Sequence, residues 1–294
     1  MRTLLLLLFL TSPAAAKLKV VASLPDLGAL ATEVGGDGVE VTTLASAKQD
    51  PHYVDPRPSY VLALNQAAIV VVNGLDLEAA WLDPLLRQAR NAAVLRGGTG
   101  YVDASTVVKR LEVPATLDRA QGDIHPGGNP HFLFDPRAGA AVAGLLGERF
   151  GAADPANAAG YTERARAVQG RLLALATAQQ ARFAALPAER RSVVVYHQSL
   201  TYLFDWLGLK QVMAVEPKPG ISPDPAHSAQ VLQAMKAAAV KVILQEEYYP
   251  ANISETLVKL VAGHVVRLPG GATEGQTYEA RLQAVADQVA AALQ

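Results

Sequence analysis

Three of the six histidines in this 294-residue chain lie in settings that suit metal binding. His52 lies just past a predicted strand in the run DPHYVDPR at 50–57, and His131 lies in the predicted loop GGNPHFLFDP at 127–136. His197 directly follows the apolar run VVVY. In open parallel sheets ligands bind outside the carboxyl ends of strands, where two of the three histidines fall. Three neutral imidazoles and one oxygen atom complete the tetrahedron that zinc prefers, so the residues indicate a candidate zinc site.

The other three histidines are weaker candidates. His264 is expected at the start of a strand, away from the carboxyl ends, and His227 at the start of a helix. His125 precedes His131 by six residues in a glycine-containing loop. It could shuttle metal or be solvated, and we favour the solvated interpretation. The spacing of the candidate ligands does not show whether they bind one ion, because no local motif forces them together.

The N-terminus has the order of features of a secretory signal peptide. Arg2 precedes an apolar run from Leu4 to Leu10, and Ala14-Ala15-Ala16 provides a small-residue cleavage site. The run is too short to span a bilayer, which needs roughly 20 residues. The chain has no cysteine, so we expect neither a disulfide nor a lipidated N-terminal cysteine. We therefore expect a mature protein free in the periplasm, without a direct membrane anchor.

Composition limits the possible partners. The formal net charge is −1, and the lysines and arginines are scattered rather than clustered. Nucleic acid is therefore an unexpected partner, because phosphate binding needs clustered positive charge. Apolar residues make up 50% of the chain, which is ample for a core and suits two domains better than one.

The elements that must position the histidines follow an alternating pattern. The sequence predicts strands at 18–23, 39–44, 68–72, 192–196, 240–245 and 265–268, and helices at 27–34, 60–66, 77–89, 200–207, 252–262 and from 277 onward. Alternation of this kind is typical of a parallel sheet with helices on both faces. We therefore expect an α/β protein with two doubly wound lobes.

One long helical segment separates the two alternating regions. Asp154 could cap it, Pro155 suits its first turn, and apolar residues recur at three- and four-residue steps until Pro187 ends it. The alternative is two shorter helices with a kink at Gly170, since glycine disfavours helix. The predicted organisation is a signal peptide at 1–16, a first lobe at 17–153, a connecting helix at 154–187 and a second lobe at 188–294.

Taken in order, several motifs resemble the periplasmic zinc- and manganese-binding proteins of ABC importers, the cluster of zinc-uptake and adhesin-type proteins. The motifs are Asp50-Pro51-His52 with Asp55-Pro56, Asn73 to Glu78 with Trp81-Leu82, Gly128 to His131 with Asp135-Pro136, His197-Gln198-Ser199 with Phe204 and Gly208, Glu216-Pro217, Gly220 to Pro223, and Ile243 to Glu246. The resemblance covers essentially the whole mature chain. It implies two α/β lobes joined by one long backbone helix, with metal in the cleft between them. His52 and His131 would come from the first lobe and His197 from the second. It also implies delivery of the ion to a membrane permease and its ATPase, and we expect the binding protein itself to be a monomer.

The chain departs from this family in two places. The segment before His131 carries only Asp118, Asp123 and His125, whereas many zinc-binding members have a long His- and Asp-rich loop there. The run after the last strand, RLPGG at 267–271, lacks the ligand aspartate of many members. The fourth ligand is therefore open. Glu246 is the first candidate and Glu247 the second, with water as a further possibility, and Glu246 could instead orient a ligand imidazole.

Ligand type favours zinc as the transported ion, because manganese prefers oxygen-rich sites. Family members that handle manganese usually have a carboxylate where this chain has His197. Manganese or another divalent metal is the alternative within the family. A zinc-dependent hydrolase would use the same three histidines with an activated water, but the chain lacks an HExxH-type motif, so we do not expect an enzyme. A purely structural or adhesive ion is a third possibility.

Overall fold

The computed structural model describes residues 16–116 and 125–294. The predicted signal peptide, apart from Ala16, lies outside the described residues, and so do Asp118 and Asp123. Among the described residues, no helix is long and apolar enough to cross a membrane.

The first lobe is built on a four-stranded parallel sheet. Its strands are β1 (Leu18–Ala22), β2 (Val39–Thr43), β3 (Ile69–Val72) and β4 (Tyr101–Asp103), in the order β2-β1-β3-β4. All four residues of β3 are buried, as expected for the continuous apolar run of a parallel strand covered on both faces. The helices between and after these strands are α1 (Pro25–Gly35), α2 (Pro58–Gln66), α3 (Leu82–Ala89) and α4 (Pro136–Ala153).

The second lobe repeats this arrangement. Its strands are β5 (Ser192–Val195), β6 (Lys210–Ala214), β7 (Val242–Glu246) and β8 (His264–Leu268), all parallel and in the order β6-β5-β7-β8. The helices are α6 (Thr201–Leu207), α7 (Pro225–Ala237), α8 (Asn252–Lys259) and α9 (Tyr278–Ala292). The predicted α/β class with two parallel-sheet lobes is therefore confirmed.

A single long helix, α5 (Ala158–Ala184), joins the lobes after one 3₁₀ turn at Pro155–Asn157. Gly170 lies inside this helix, so the alternative of two shorter helices is wrong. Its 27 residues span about 40 Å at 1.5 Å per residue, and it is shorter at both ends than the predicted segment 154–187. It packs against α1 and α4 on one side and α6 and α9 on the other, so both lobes share it as a support.

The helix predicted over 77–89 begins later, at Leu82. Gly74, Leu75 and Asp76, just before the predicted start, have positive φ values of 86°, 53° and 59°. The next residues form turns, in which the N–H groups of Leu77, Ala79 and Trp81 bond to carbonyls three residues earlier. The buried Glu78 carboxylate accepts hydrogen bonds from the backbone of Asn73 and Gly74 and holds this turn in place. The Glu78 side chain bonds to residues that precede it and so favours a turn. The pattern of apolar residues does not record such a bond, and it therefore predicted a helix start that is too early.

A buried ion pair connects the lobes beside the sheets. Arg281 of α9 lies 3.1 Å from the Asp26 carboxylate of α1, and the arginine is fully buried. The same guanidinium donates to the carbonyl oxygen of Leu133 and lies over the Phe134 ring at 4.2 Å. The chain just after His131 is therefore held by a helix of the second lobe.

Candidate metal centre

The three candidate histidines converge where the two lobes meet. His52, His131 and His197 are 8%, 7% and 5% exposed, and one ring nitrogen of each lies within 4.8 Å of the others. The three ring centroids are 5.1 to 5.5 Å apart. His52 and His131 come from the first lobe and His197 follows β5 in the second, as the sequence suggested. The structure thus brings together residues that lie up to 145 positions apart in the chain.

His52 is oriented by the aspartate two residues before it. The Asp50 carboxylate accepts from the His52 backbone N–H at 3.0 Å and lies 2.7 Å from its Nδ1. Burial pushes the pKa of Asp50 upward, but the hydrogen bond and charge of His52 outweigh it and hold the pKa below its usual value. The indole of Trp81 donates to the carbonyl of Pro51 and braces the same turn. Because Asp50 engages Nδ1, the His52 Nε2 is left for a metal.

His197 has the same arrangement with a more distant residue. Its Nδ1 lies 2.7 Å from the Glu216 carboxylate, which follows β6, the neighbour of β5 in the sheet. Burial lowers the pKa of His197, but the hydrogen bond and charge of Glu216 outweigh burial and raise it. A carboxylate behind a ligand imidazole fixes its tautomer and raises its basicity, so His197 also offers Nε2.

His131 is positioned through Asn129. The Asn129 side chain accepts from the His131 backbone N–H at 3.0 Å and donates to the carbonyl oxygen of Gln198 at 2.7 Å. Tyr202 in α6 donates to the Asn129 carbonyl. Burial, and then the charges of His52 and His197, hold the pKa of His131 well below its usual value. The imidazole is therefore neutral at pH 7, the form that binds metal.

Glu246 is placed beside this group rather than within it. It is the last residue of β7 and fully buried, and Ser199 donates to its Oε1. Its Oε2 has no hydrogen-bond partner in the described part of the chain. Burial raises the pKa of Glu246, because it outweighs the Ser199 hydrogen bond and the charge of His197, which both lower it. The group of ligand atoms within 4.8 Å contains only the three histidines, so a ligand role for Glu246 stays a prediction. Glu247 is exposed.

The interpretation of His125 as a solvated side chain is wrong. Its Nε2 lies 3.3 Å from His52 Nε2, and the residue is half-buried. Burial, followed by the charge of His52, lowers its pKa to about 4. His125, His131 and His197 line one cavity of about 280 Å³ together with Glu112, Asn129 and Gln198. His264 is exposed at the start of β8 and His227 lies in the first turn of α7, so both lie in the elements expected for them.

Sequence reasoning missed the roles of Asp50, Glu216 and Asn129. Asp50 and Asn129 each stand two residues before a candidate ligand, which is a signal that the spacing offered. Glu216 had no such signal, because its approach to His197 depends on the pairing of β5 with β6.

Two parallel α/β lobes on one long helix, with three imidazoles converging between them, define a metal-binding protein of the substrate-binding class. The family model for the periplasmic zinc-uptake complex component A, ZnuA, matches residues 20–292. The chain belongs to this family.

Relatives of this chain include metal-binding proteins of streptococci. The metal ABC transporter substrate-binding lipoprotein ScbA of Streptococcus cristatus is 25% identical over 195 residues, which cover 65% of this chain and 60% of ScbA. The match thus spans less than two thirds of ScbA. The manganese ABC transporter substrate-binding lipoprotein PsaA of Streptococcus pneumoniae is 23% identical over 249 residues, covering 84% of this chain and 76% of PsaA. A crystal structure of ZnuA superimposes with a TM-score of 0.80 at 23% identity, covering 95% of this chain and 100% of that chain, which shows the shared fold.

Proposed function

We propose that the protein captures zinc outside the cytoplasm and delivers it to an ABC importer made of a permease and its ATPase. The observation that carries this proposal is the convergence of three buried imidazoles, two of which have Nδ1 on a carboxylate. We propose His52, His131 and His197 as three of the metal ligands.

The ligand set favours zinc over manganese. All three grouped side chains are imidazoles, and the nearest carboxylates, Asp50 and Glu216, lie behind the rings. Manganese suits sites rich in carboxylate and carbonyl oxygen, whereas imidazole suits zinc. The manganese named for PsaA is therefore not transferred to this chain.

The fourth position has two candidates in the described structure. Glu246 presents an Oε2 without a partner, and His125 presents an Nε2 beside His52. In the proposed organisation residues 1–16 direct export, and lobes 17–153 and 188–294 flank the connecting segment 154–187. The family consists of substrate-binding transport proteins, so we propose no enzymatic step.

Metal competition on the apo protein tests the proposal. The chain is incubated with equimolar zinc and manganese, desalted, and analysed for bound metal by mass spectrometry. Copper is left out because raw affinity follows the Irving–Williams order whatever the biological cargo. We expect one zinc per chain and little manganese.

Alanine variants test the ligands. His52→Ala, His131→Ala and His197→Ala are each expected to lose tight zinc binding. His264→Ala is the matched control, because it removes an imidazole that is exposed and far along β8 from the cluster. Preferential manganese loading, or full zinc stoichiometry after removal of two of the three histidines, would contradict the proposal.

A further inference from the structure

His125 stands next to the three-histidine group without a role assigned to it. We propose that His125 is the fourth zinc ligand, so that the ion is held by four imidazoles. This inference rests on the proposed zinc function and identifies the remaining position of the same site.

The contact between His125 and His52 is not a hydrogen bond that two neutral rings can make. A carboxylate only accepts, so the His52 nitrogen facing Asp50, Nδ1, carries the proton. The His125 ring also bonds to the backbone of Leu75, and since its Nε2 faces His52, Nδ1 is the nitrogen left for that carbonyl. Each ring then directs an unprotonated Nε2 at the other across 3.3 Å. Two facing lone pairs repel unless a cation lies between them.

The spacing of these two nitrogens matches two ligands on one zinc ion. With zinc–nitrogen bonds of 2.0–2.1 Å and tetrahedral angles, two ligand nitrogens are about 3.3–3.4 Å apart. The observed separation of 3.3 Å between His125 Nε2 and His52 Nε2 agrees with that edge of a tetrahedron. His125 also lines the cavity that His131 and His197 line, and its ring centroid lies 5.4 Å from that of His52.

Two contacts hold the turn that follows His125. Its carbonyl accepts from the Gly128 N–H at 3.0 Å, and Gly128 has a φ of 108°, a conformation that favours glycine. Gly127 approaches Leu75 so closely that a Cβ there would lie 2.6 Å from the leucine side chain. These contacts support the position of His125 beside His52.

Charge balance removes the need for an anionic fourth ligand. The two charges of the ion are matched by the Asp50 and Glu216 carboxylates, each 2.7 Å from a ligand imidazole. Neither Glu246 nor His125 belongs to the group of ligand atoms within 4.8 Å of one another, but Glu246 is committed through Oε1 to Ser199, whereas His125 directs its Nε2 at His52. His125 therefore fits the fourth position better than Glu246.

X-ray absorption at the zinc edge of the loaded protein tests this inference. We expect four imidazole ligands in the wild-type chain and in the control His264→Ala. We expect three imidazoles and one oxygen in His125→Ala, with zinc still bound at one per chain. We expect the zinc affinity of His125→Ala to fall by at least about 10- to 100-fold, which is the usual cost of losing a residue that only hydrogen-bonds to a metal ligand. The visible absorption spectrum of the cobalt-loaded protein should also shift in His125→Ala. The variant His125→Gln repeats both measurements with a polar side chain of similar length.

The variant Glu246→Gln separates the two candidates for the fourth position. If His125 is the ligand, Glu246→Gln keeps four imidazoles and the wild-type affinity. Three imidazoles in the wild-type chain, or an unchanged zinc environment in His125→Ala, would overturn this inference and leave the proposed function intact. Failure of the wild-type chain to bind zinc would instead overturn the proposed function.

Discussion

Glu78 should make the stability of the metal-free protein fall as the pH rises. The residue is buried in the turn after β3, and burial raises its pKa from 4.5 to about 7, against hydrogen bonds from Ser23 and the backbone of Asn73 and Gly74. The unfolded chain ionises this carboxyl near 4.5, whereas the folded chain retains the proton up to about pH 7. Its contribution is therefore fully present below about pH 4.5 and is lost as the pH rises through about 7.

The size of this effect follows from the shift in pKa. A rise of about 2.5 units corresponds to about 3 kcal/mol, since one unit is worth about 1.4 kcal/mol. The variant Glu78→Gln is a close neutral mimic, because its amide oxygen can keep the two 2.6 Å bonds that Oε1 accepts from Ser23 and Asn73. It loses only the 3.2 Å bond from Gly74 to Oε2.

Urea unfolding of the metal-free wild-type and Glu78→Gln proteins between pH 4 and 8 measures this contribution. The wild-type free energy of unfolding minus that of the variant should fall by about 3 kcal/mol over this range, with most of the change between pH 4.5 and 7. Taking the difference removes the pH dependence of Asp26, Glu246 and the histidines. A difference that stays flat or rises with pH would refute the reasoning, because it would mean that the three hydrogen bonds outweigh burial and keep Glu78 ionised.

Four further predictions concern the metal and the contact between the lobes. Glu216→Gln should weaken zinc binding about 10- to 100-fold in a chelator competition, because the carboxylate behind His197 is lost; unchanged affinity would contradict its orienting role. Zinc at 1,000 times its dissociation constant should raise the free energy of unfolding by about 4 kcal/mol, and His131→Ala should abolish that gain. The metal-free chain should keep its far-UV circular dichroism, whereas loss of the signal would favour a structural ion. Arg281→Met should cost about 3–5 kcal/mol in urea unfolding by leaving Asp26 buried without its partner. Adding Asp26→Asn should restore part of that loss, and failure to do so would show that the arginine acts through its other contacts.

The sequence predicted the elements whose burial is continuous or periodic. The run Ile69 to Val72 is apolar throughout and forms a central strand, and the stripe from Tyr161 to Phe183 forms one helix. Elements whose identity depends on neighbours were missed. β4 has only three residues, and β6 carries partly exposed residues without clear alternation. Each pairs with the strand that precedes it in the chain, across an intervening segment, and no local pattern records that pairing.

The candidate metal site likewise contains residues that the sequence predicted and residues that depend on tertiary packing. His52, His131 and His197 could be grouped because the carboxyl ends of parallel strands meet at one edge, a rule that applies from the predicted strands alone. The partners behind them follow from tertiary packing. Glu216 reaches His197 because its backbone N–H bonds to Tyr196 across the pair of strands, and His125 reaches His52 from a separate loop. The fourth position therefore needed coordinates.

The pair formed by Arg281 and Asp26 has a consequence for how a partner could distinguish loaded from empty protein. Separating the lobes would move a fully buried guanidinium away from its carboxylate, and breaking such a pair costs about 3–5 kcal/mol. The guanidinium also holds the carbonyls of Leu133 and Pro269, which belong to opposite lobes. A wide hinge motion would lose all of these contacts together. The shape change on metal uptake should then be confined to the loops that carry the imidazoles, and recognition by the importer would depend on the local surface around those loops rather than on the outline of the whole molecule.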